Sequence, residues 1–485
     1  MQRLMVAVSA FAAMAAAPPA SAAADKAGAE AILRDYAAIF GKIVDAKGLV
    51  SVTPSGADYQ VAWHLQKLFD MMRTADFKGE IKAGDYVYRL TPSSPDGWTA
   101  SANLFPALSF KGATKQGVAS GAINFRGFAF SGAYAPDKPD FHHSTTSVDS
   151  AEMNFEIPDP KAKGTISVVE SGLAIETQAK TAADGSVDAA FAQKVKSIVE
   201  KIHVQGETAG DFTFTTGESG AAVTIEGLRS APFMELWRWT TANAVAPPTP
   251  ATQAGFKTRA AAMLPLWNAV KADADIADMK FASAFGDVGV KSLRQTFRFS
   301  GFDHLGVADV GWKVEGLTAS SPLMPHIADE VLPAALDLDM KISVEGVDEM
   351  ARAALDDPNF QTQKPLSQAT QDKIAAIAKR GSPKLVVAPG HFTTPAIDLA
   401  FEGEMALQDP VPTAHFVVKA KNFDKSVELA GKIGALYGDP AHWTVALAFV
   451  KGLAKDGDEG QLVWSVDLSA DGKVKVNGQE MPTDK

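Results

Sequence analysis

Hydrophobic and polar residues alternate along most of this chain, and the pattern predicts a protein rich in β-strands. In "LDLDMKISVEG", the residues Leu336, Leu338, Met340, Ile342 and Val344 alternate strictly with polar ones. Such a period of two places apolar side chains on one face of a sheet. Similar runs occur at "DYQVAWHL", "DYVYRL", "GAINFRGFAFSGAY" and "AIDLAFEGEMAL". We therefore expect antiparallel sheets with one dry face and one wet face.

Apolar residues three or four positions apart predict amphipathic helices between the strands. One is "KAGAEAILRDYAAIFGKIVDAKG", and a second is "DAAFAQKVKSIVEKI", in which Phe191, Val195, Ile198 and Ile202 form one stripe. "GFKTRAAAMLPLWNAVKADA" also predicts a helix, with a break or kink at Pro265. The predicted fold class is α+β, with large curved antiparallel sheets, amphipathic helices packed on one face and repeated β-α units.

Two short echoes suggest the repetition. "VTIEGLRSAPF" at 223–233 resembles "WKVEGLTASSPL" at 312–323, and "FAFSG" at 128–132 resembles "FRFSG" at 297–301. The pairs have different offsets, so they indicate repeated β-α units and not one clean duplication.

A proline-rich segment divides the chain. "AVAPPTPATQ", residues 244–253, contains three prolines in a short window and is the best candidate for a linker. We expect an N-terminal α+β half at 23–243 and a C-terminal α+β half at 254–485 that ends in a β-hairpin. In that hairpin "KVKV" pairs with "VWSVDL", and it lies between two turn signals, Asp471-Gly472 and Asn477-Gly478, which favour type I′ turns. Whether the halves form one domain or two is left open.

The first residues predict export. "MQRLMVAVSAFAAMAAAPPASA" has a basic start at Arg3, an apolar stretch and a small-residue site, which is typical of a secretory signal peptide over residues 1–22. Cleavage is expected near Ala22. No later apolar run reaches the roughly 20 residues of a membrane span, so we expect no transmembrane segment after cleavage. Periplasmic localisation is the resulting prediction.

Composition narrows the function. The 485-residue chain has a formal net charge of -11 and no Lys/Arg run longer than two, which argues against nucleic acid as a partner. It has no cysteine, so disulfides, thiol catalysis and thiolate metal sites are excluded. No phosphate-binding loop, dinucleotide fingerprint, zinc-protease helix or nucleophile elbow is present. We predict no cofactor and no catalytic residue from motifs.

The remaining site candidates are single residues. His142 and His143 adjoin near Asp140 and could contact a metal, but neighbours on a strand point to opposite faces and a zinc site needs more ligands. Trp237, Trp239, Trp267 and Trp312 could contact an apolar ligand; packing between elements is the alternative for such large aromatic side chains.

Two stretches carry a resemblance. "DGKVKVNGQEMP" after alternating strands resembles the tail of AsmA-like and YdgA-like bacterial envelope proteins, and "YVYRLTPSSPDGWTASANLFPALSF" is similar to the first sheet of alphaproteobacterial exported proteins of unknown function. The resemblance implies an envelope role, with lipid handling and an envelope protein partner as expectations.

Our functional hypothesis is a non-enzymatic envelope protein that binds lipid or another hydrophobic ligand in an apolar groove. Incomplete helix coverage of a dry sheet face would leave such a groove, whereas full coverage would give an ordinary scaffold. A periplasmic hydrolase without a recognisable motif is the alternative.

Overall fold

The structure is a computed structural model. It describes residues 24–481 except for 42–43, 45–47, 73–77, 95–96, 115–116, 135–140, 159–161, 207–208, 244–248, 323–327, 361–363, 408–411 and 438–439. The predicted signal peptide, residues 1–22, lies outside the described residues. The α+β class and the large antiparallel sheets are confirmed.

The chain divides into two compact units, the first ending at Leu266 and the second beginning at Trp267. Residues 244–248 of the predicted linker lie outside the described residues. The rest of that segment is structured, because Thr249 caps a helix that starts at Pro250. The break between the units therefore comes after this helix.

The first unit contains fourteen described strands and four described helices. The strands are β1 Val50–Ser55, β2 Asp58–His64, β3 Lys78–Ala83, β4 Asp85–Ser94, β5 Gly97–Ala102, β6 Leu108–Thr114, β7 Gly117–Arg126, β8 Ala129–Tyr134, β9 Phe141–Pro158, β10 Ala162–Thr181, β11 Val187–Val195, β12 Ser197–Gly206, β13 Gly210–Thr216 and β14 Ser219–Leu228. The helices are α1 Lys26–Phe40, α2 Leu65–Met72, α3 Ser230–Asn243 and α4 Pro250–Met263.

The long hairpin of β9 and β10 organises this unit. One half of the hairpin pairs with β7 and β12, and the other half with β8 and β11. Strands β5, β4, β2 and β1 follow β8, while β6 and β3 follow β7. All these pairings are antiparallel.

The main core lies under α1. Asp25 caps this helix by accepting a hydrogen bond from the N–H of Gly28 at 2.7 Å. Its apolar stripe then buries Ile32 and Tyr36 completely against the sheet, where Tyr36 meets the edge of Trp63 with ring centroids 5.8 Å apart. The predicted first helix is thus confirmed over its described residues.

The second unit is a meander. Its strands are β15 Ala269–Ser283, β16 Gly286–Phe299, β17 Leu305–Ser320, β18 Ala335–Glu345, β19 Lys384–Thr393, β20 Asp398–Ala406, β21 Thr413–Lys421, β22 Lys455–Asp456, β23 Leu462–Leu468, β24 Val474–Val476 and β25 Gln479–Glu480. From β15 to β21 each strand pairs with the next, and β23, β24 and β25 complete the row. Its described helices are α5 Ala328–Val331, α6 Val347–Asp356, α7 Gln368–Arg380, α8 Phe423–Tyr437 and α9 Pro440–Gly452.

One predicted helix is wrong, and a second is confirmed only before its predicted break. "DAAFAQKVKSIVEKI" forms β11 and β12, because each of these strands pairs on both sides and because Ile198, Ile202 and Val204 also fit a period of two. The helix predicted across Pro265 ends at Met263, before the proline, and the residues from Ala269 onward form β15. Asp273 and Asp275 are therefore exposed on a strand.

One sequence echo has a common backbone geometry. Gly227 and Gly316, the glycines of the two Glu-Gly-Leu triplets, have φ of 64° and 65°. Only glycine adopts this left-handed conformation without strain. The second echo shares no such feature, since Gly301 has φ of 81° while Gly132 is not among the residues with positive φ.

Candidate functional site

The most distinctive surface is the dry face of the second unit. Cross-strand pairing aligns apolar residues from β16 to β24 into one continuous row: Phe297, Val310, Met340, Val387, Gly403, Phe416, Val466 and Val476. A parallel row begins with Phe299, Ala308, Ile342 and Leu385. Neither row contains a charged side chain. If helices covered all of this face, it would form the hydrophobic core of the unit.

Helices α8 and α9 cover only one end of this face. Phe423 of α8 packs on Trp464 of β23, with ring centroids 5.3 Å apart, and Leu447 of α9 joins the same cluster. Trp464 is only 6% exposed, and its indole N–H donates to the backbone oxygen of Val450 at 2.8 Å. The strands β20 to β24 thus have a small, well-packed core.

The other end is open to solvent. Phe297 is 39% exposed and Ile342 is 50% exposed, while Val310, Met340 and Val387 are half-buried. We call the surface formed by Phe297, Val310, Trp312, Met340, Ile342, Leu385 and Val387 the open apolar face. Exposed apolar patches of this kind on a folded protein mark binding surfaces.

Helices α6 and α7 do not bury the open apolar face. Ala353 of α6 and Ile377 of α7 are buried, and the two helices meet the sheet where β17 begins and β18 ends. There Val347 fits against Gly306, and Ile377 fits against Gly346. Ile342, only three residues before the end of β18, remains half exposed.

Trp312 belongs to this surface. It lies on β17 beside Val310, and its cross-strand neighbours are Gln295 and Leu338. Its side chain is half-buried. Of the four tryptophans singled out from the sequence, Trp312 is thus on a half-exposed apolar sheet face.

Trp239 and Trp267 pack against other aromatic side chains. Trp239 joins α3 to α4, since its ring meets Phe256 edge-on with ring centroids 6.3 Å apart and the Arg259 guanidinium lies 5.4 Å from its centroid. Trp267 stands against Phe302, with ring centroids 6.2 Å apart. Trp237 is half-buried on α3.

Of the two histidines, the structure describes the side chain of His143 alone. The side chain of His142 lies outside the described residues; His143 is exposed and its Nδ1 is 3.7 Å from a carboxylate oxygen of Glu176. Within the described parts of the chain, no three His, Cys, Asp or Glu side chains form a group that could hold a metal ion.

The first unit contains a polar cleft of about 610 Å³ across β3, β6, β7, β9 and β10. Glu80 and Lys82 line it whereas Ile81 does not, so it lies over the wet face of the sheet. Lys82 pairs with Glu80 at 3.5 Å, Ser120 donates a hydrogen bond to Glu156, and Lys111 also lines the cleft. The lining therefore carries both signs of charge and favours no single ligand class.

Sequence reasoning did not identify the residues of the open apolar face. The alternation at Ile342 and the aromatic pair Phe297 and Phe299 were visible, but alternation does not show which part of a dry face the helices cover. A usable signal was the spacing of the helices, because β15, β16 and β17 follow one another with no helix between them.

Comparison of the chain with protein-family models, with curated proteins and with solved structures gave no match. Over the residues that the structure describes, none of the helices has both the length and the apolar character needed to cross a membrane. Function must therefore be argued from the surfaces above.

Proposed function

We propose that this chain is an exported envelope protein whose second unit holds the acyl chains of a lipid on the open apolar face. The observation that carries the proposal is the half-exposed, charge-free row across β16 to β19, next to a covered end of the same face. Burying a large aliphatic or aromatic side chain is worth about 1.5–3 kcal/mol, so leaving several exposed is costly without an occupant.

An acyl chain is the occupant that fits this chemistry. Both rows offer methyl, thioether and phenyl groups and no hydrogen-bonding side chain, so a flexible hydrocarbon can be bound without leaving polar groups unpaired. The signal-peptide pattern at residues 1–22 and the resemblance to envelope proteins support a compartment where lipids are present. An envelope protein partner that delivers or receives the lipid belongs to the same proposal.

The first test is direct. The mature protein is purified from its native host without detergent and extracted with organic solvent, and the extract is analysed by mass spectrometry. The proposal expects a lipid at a fixed ratio to protein. A protein that contains no lipid and forms a dimer through this face would contradict it.

The second test locates the lipid. A phospholipid with brominated acyl chains quenches tryptophan fluorescence at short range, and Trp312 lies on the open apolar face. The wild-type protein should be quenched, and Trp312→Phe should lose that quenching while it keeps its lipid affinity. As the matched control, Trp239→Phe removes a tryptophan packed between α3 and α4 and should leave the quenching unchanged. Equal loss in both variants would refute this location.

A further inference from the structure

A Ser-His-Asp arrangement lies on the outer face of the first unit. His64, the last residue of β2, has its Nε2 3.2 Å from Ser51 Oγ on β1. Its other ring nitrogen, Nδ1, is 3.0 Å from a carboxylate oxygen of Asp85, the first residue of β4. The ring therefore joins a hydroxyl to a carboxylate through its two different nitrogens.

This connectivity defines one tautomer. With Nδ1–H donated to Asp85, Nε2 carries the lone pair that accepts the hydroxyl proton of Ser51. A nucleophile, a base in contact with it and a third group that orients the base are the elements of acyl transfer by serine. Such a constellation is recognised by geometry and not by order along the chain.

The three side chains are held by the best-packed part of the molecule. Each is adjacent in sequence to a core residue on the opposite face: Val50 is 4% exposed, Trp63 6% and Tyr86 8%. Those three residues form one cross-strand row. A site built on rigid strands keeps its geometry better than one built on loops.

The surface beside Ser51 fits a small acyl group. Its cross-strand neighbour is Ala62, and the neighbour of Ala62 on β4 is Val87. Both are half-buried and apolar. Helix α2 begins directly after His64, and the N–H groups of its first turn have no acceptor within their own helix.

We propose that Ser51, His64 and Asp85 form a site that hydrolyses esters of short acyl groups. Ser51 Oγ attacks the ester carbonyl carbon while its proton passes to His64 Nε2. The bond from that carbon to the alkoxy oxygen then breaks, and His64 returns the proton to the leaving alcohol. Water attacks the acyl-serine with His64 as base, so the carboxylic acid leaves and Ser51 regains its proton. The N–H groups at the start of α2 are the donors assigned to the developing oxyanion.

Two measurements on the full mature chain test the proposal. A fluorophosphonate probe should modify Ser51, as located by peptide mass spectrometry, and the folded protein should hydrolyse p-nitrophenyl butyrate faster than the same protein unfolded in urea. Ser51→Ala and His64→Gln should each lower kcat/KM at least about 100-fold, the usual range for loss of such a group.

The matched control is Ser101→Ala. Ser101 lies on β5 of the same sheet, between the buried Ala100 and Ala102, and its cross-strand neighbours are Arg89 and Ser131. It should keep full activity and probe labelling. Asp85 is a positioning residue, and Asp85→Asn should lower kcat with KM unchanged.

The outcomes are decisive either way. Absence of labelling at Ser51, or activity retained in a folded Ser51→Ala protein, overturns the proposal. So does activity that is equal in folded and unfolded protein, since that reflects exposed histidines alone. Because lipid binding involves the second unit, it stands or fails independently of this site.

Discussion

The open apolar face can be tested by making it polar without touching the packed end of the sheet. The change is the double variant Phe297→Ser/Ile342→Ser. Phe297 is 39% exposed and Ile342 is 50% exposed, so an acyl chain could remove about those fractions of each side chain from water. With about 1.5–3 kcal/mol for complete burial, the two contribute about 1.3–2.7 kcal/mol to binding. That is a loss of about 10- to 100-fold in affinity.

Displacement of a fluorescent fatty acid by phospholipid measures this affinity. The control is Val445→Ser/Phe449→Ser on α9, where the side chains are 67% and 59% exposed and lie outside the row that begins at Phe297. The control removes as much exposed apolar surface but should leave affinity unchanged. If both double variants weaken binding equally, the protein binds lipid by general surface hydrophobicity and the assignment to this face is wrong. Thermal unfolding of each variant shows whether the fold is intact.

Three further changes test the fold of the second unit. Gly316→Ala should destabilise this unit by about 2 kcal/mol or more in urea unfolding, because left-handed φ costs a side chain about 1–2 kcal/mol and the new Cβ would stand 2.7 Å from Cβ of Lys291. The control Gly452→Ala, whose new Cβ has no atom within 4 Å, should not destabilise it. Asn477→Ala should lower the free energy of unfolding by about 3 kcal/mol in the same assay, since its side chain makes three hydrogen bonds to the backbone within 2.9 Å. Unchanged stability would contradict the stabilising role of these hydrogen bonds. Burial would raise the pKa of Asp357, but hydrogen bonds from Ser367, Thr370 and nearby N–H groups lower it to about 2. This pKa lies below the value of about 3.9 in the unfolded chain. The ionised carboxylate therefore stabilises the fold fully above about pH 3.9, and this stabilisation is lost as the pH falls towards 2. When acid unfolding is followed by circular dichroism, an Asp357→Asn variant should lack this loss of stability between about pH 3.9 and 2.

The C-terminal hairpin could be predicted from the sequence because all of its signals are local. "KVKV" between two turn signals predicted a short strand paired with "VWSVDL", and β24 pairs with β23 as expected. Asn477 and Gly478 have φ of 52° and 85°, as the predicted turn requires. The structure adds β25 beyond it, paired through Lys475 and Glu480. Turn residues and alternation fix such an element because its partner is only a few residues away.

The segment that forms β11 and β12 shows where local signals fail. Phe191, Val195, Ile198 and Ile202 match a helical stripe as well as a strand pattern, so periodicity alone could not decide. Pairing with β10 decides the structure, because one part of that long strand pairs with β11 and the other part with β12. A partner distant in sequence cannot be read from the window itself, and tertiary pairing overrode the helical spacing.

The same limit explains why neither functional surface was visible beforehand. Alternation predicted that Ile342 lies on the apolar face of the sheet, and it does. What covers that face depends on where α8 and α9 return, and the contacts described for these two helices are with β20 to β24. His64 lies on a strand, but its neighbours Ser51 and Asp85 come from other strands and are set by register. A shift of one residue between β2 and β4 would move Asp85 away from His64 and place Tyr86 outside the core. The burial of Val50, Trp63 and Tyr86 therefore fixes the register, and the register in turn brings the three polar residues together.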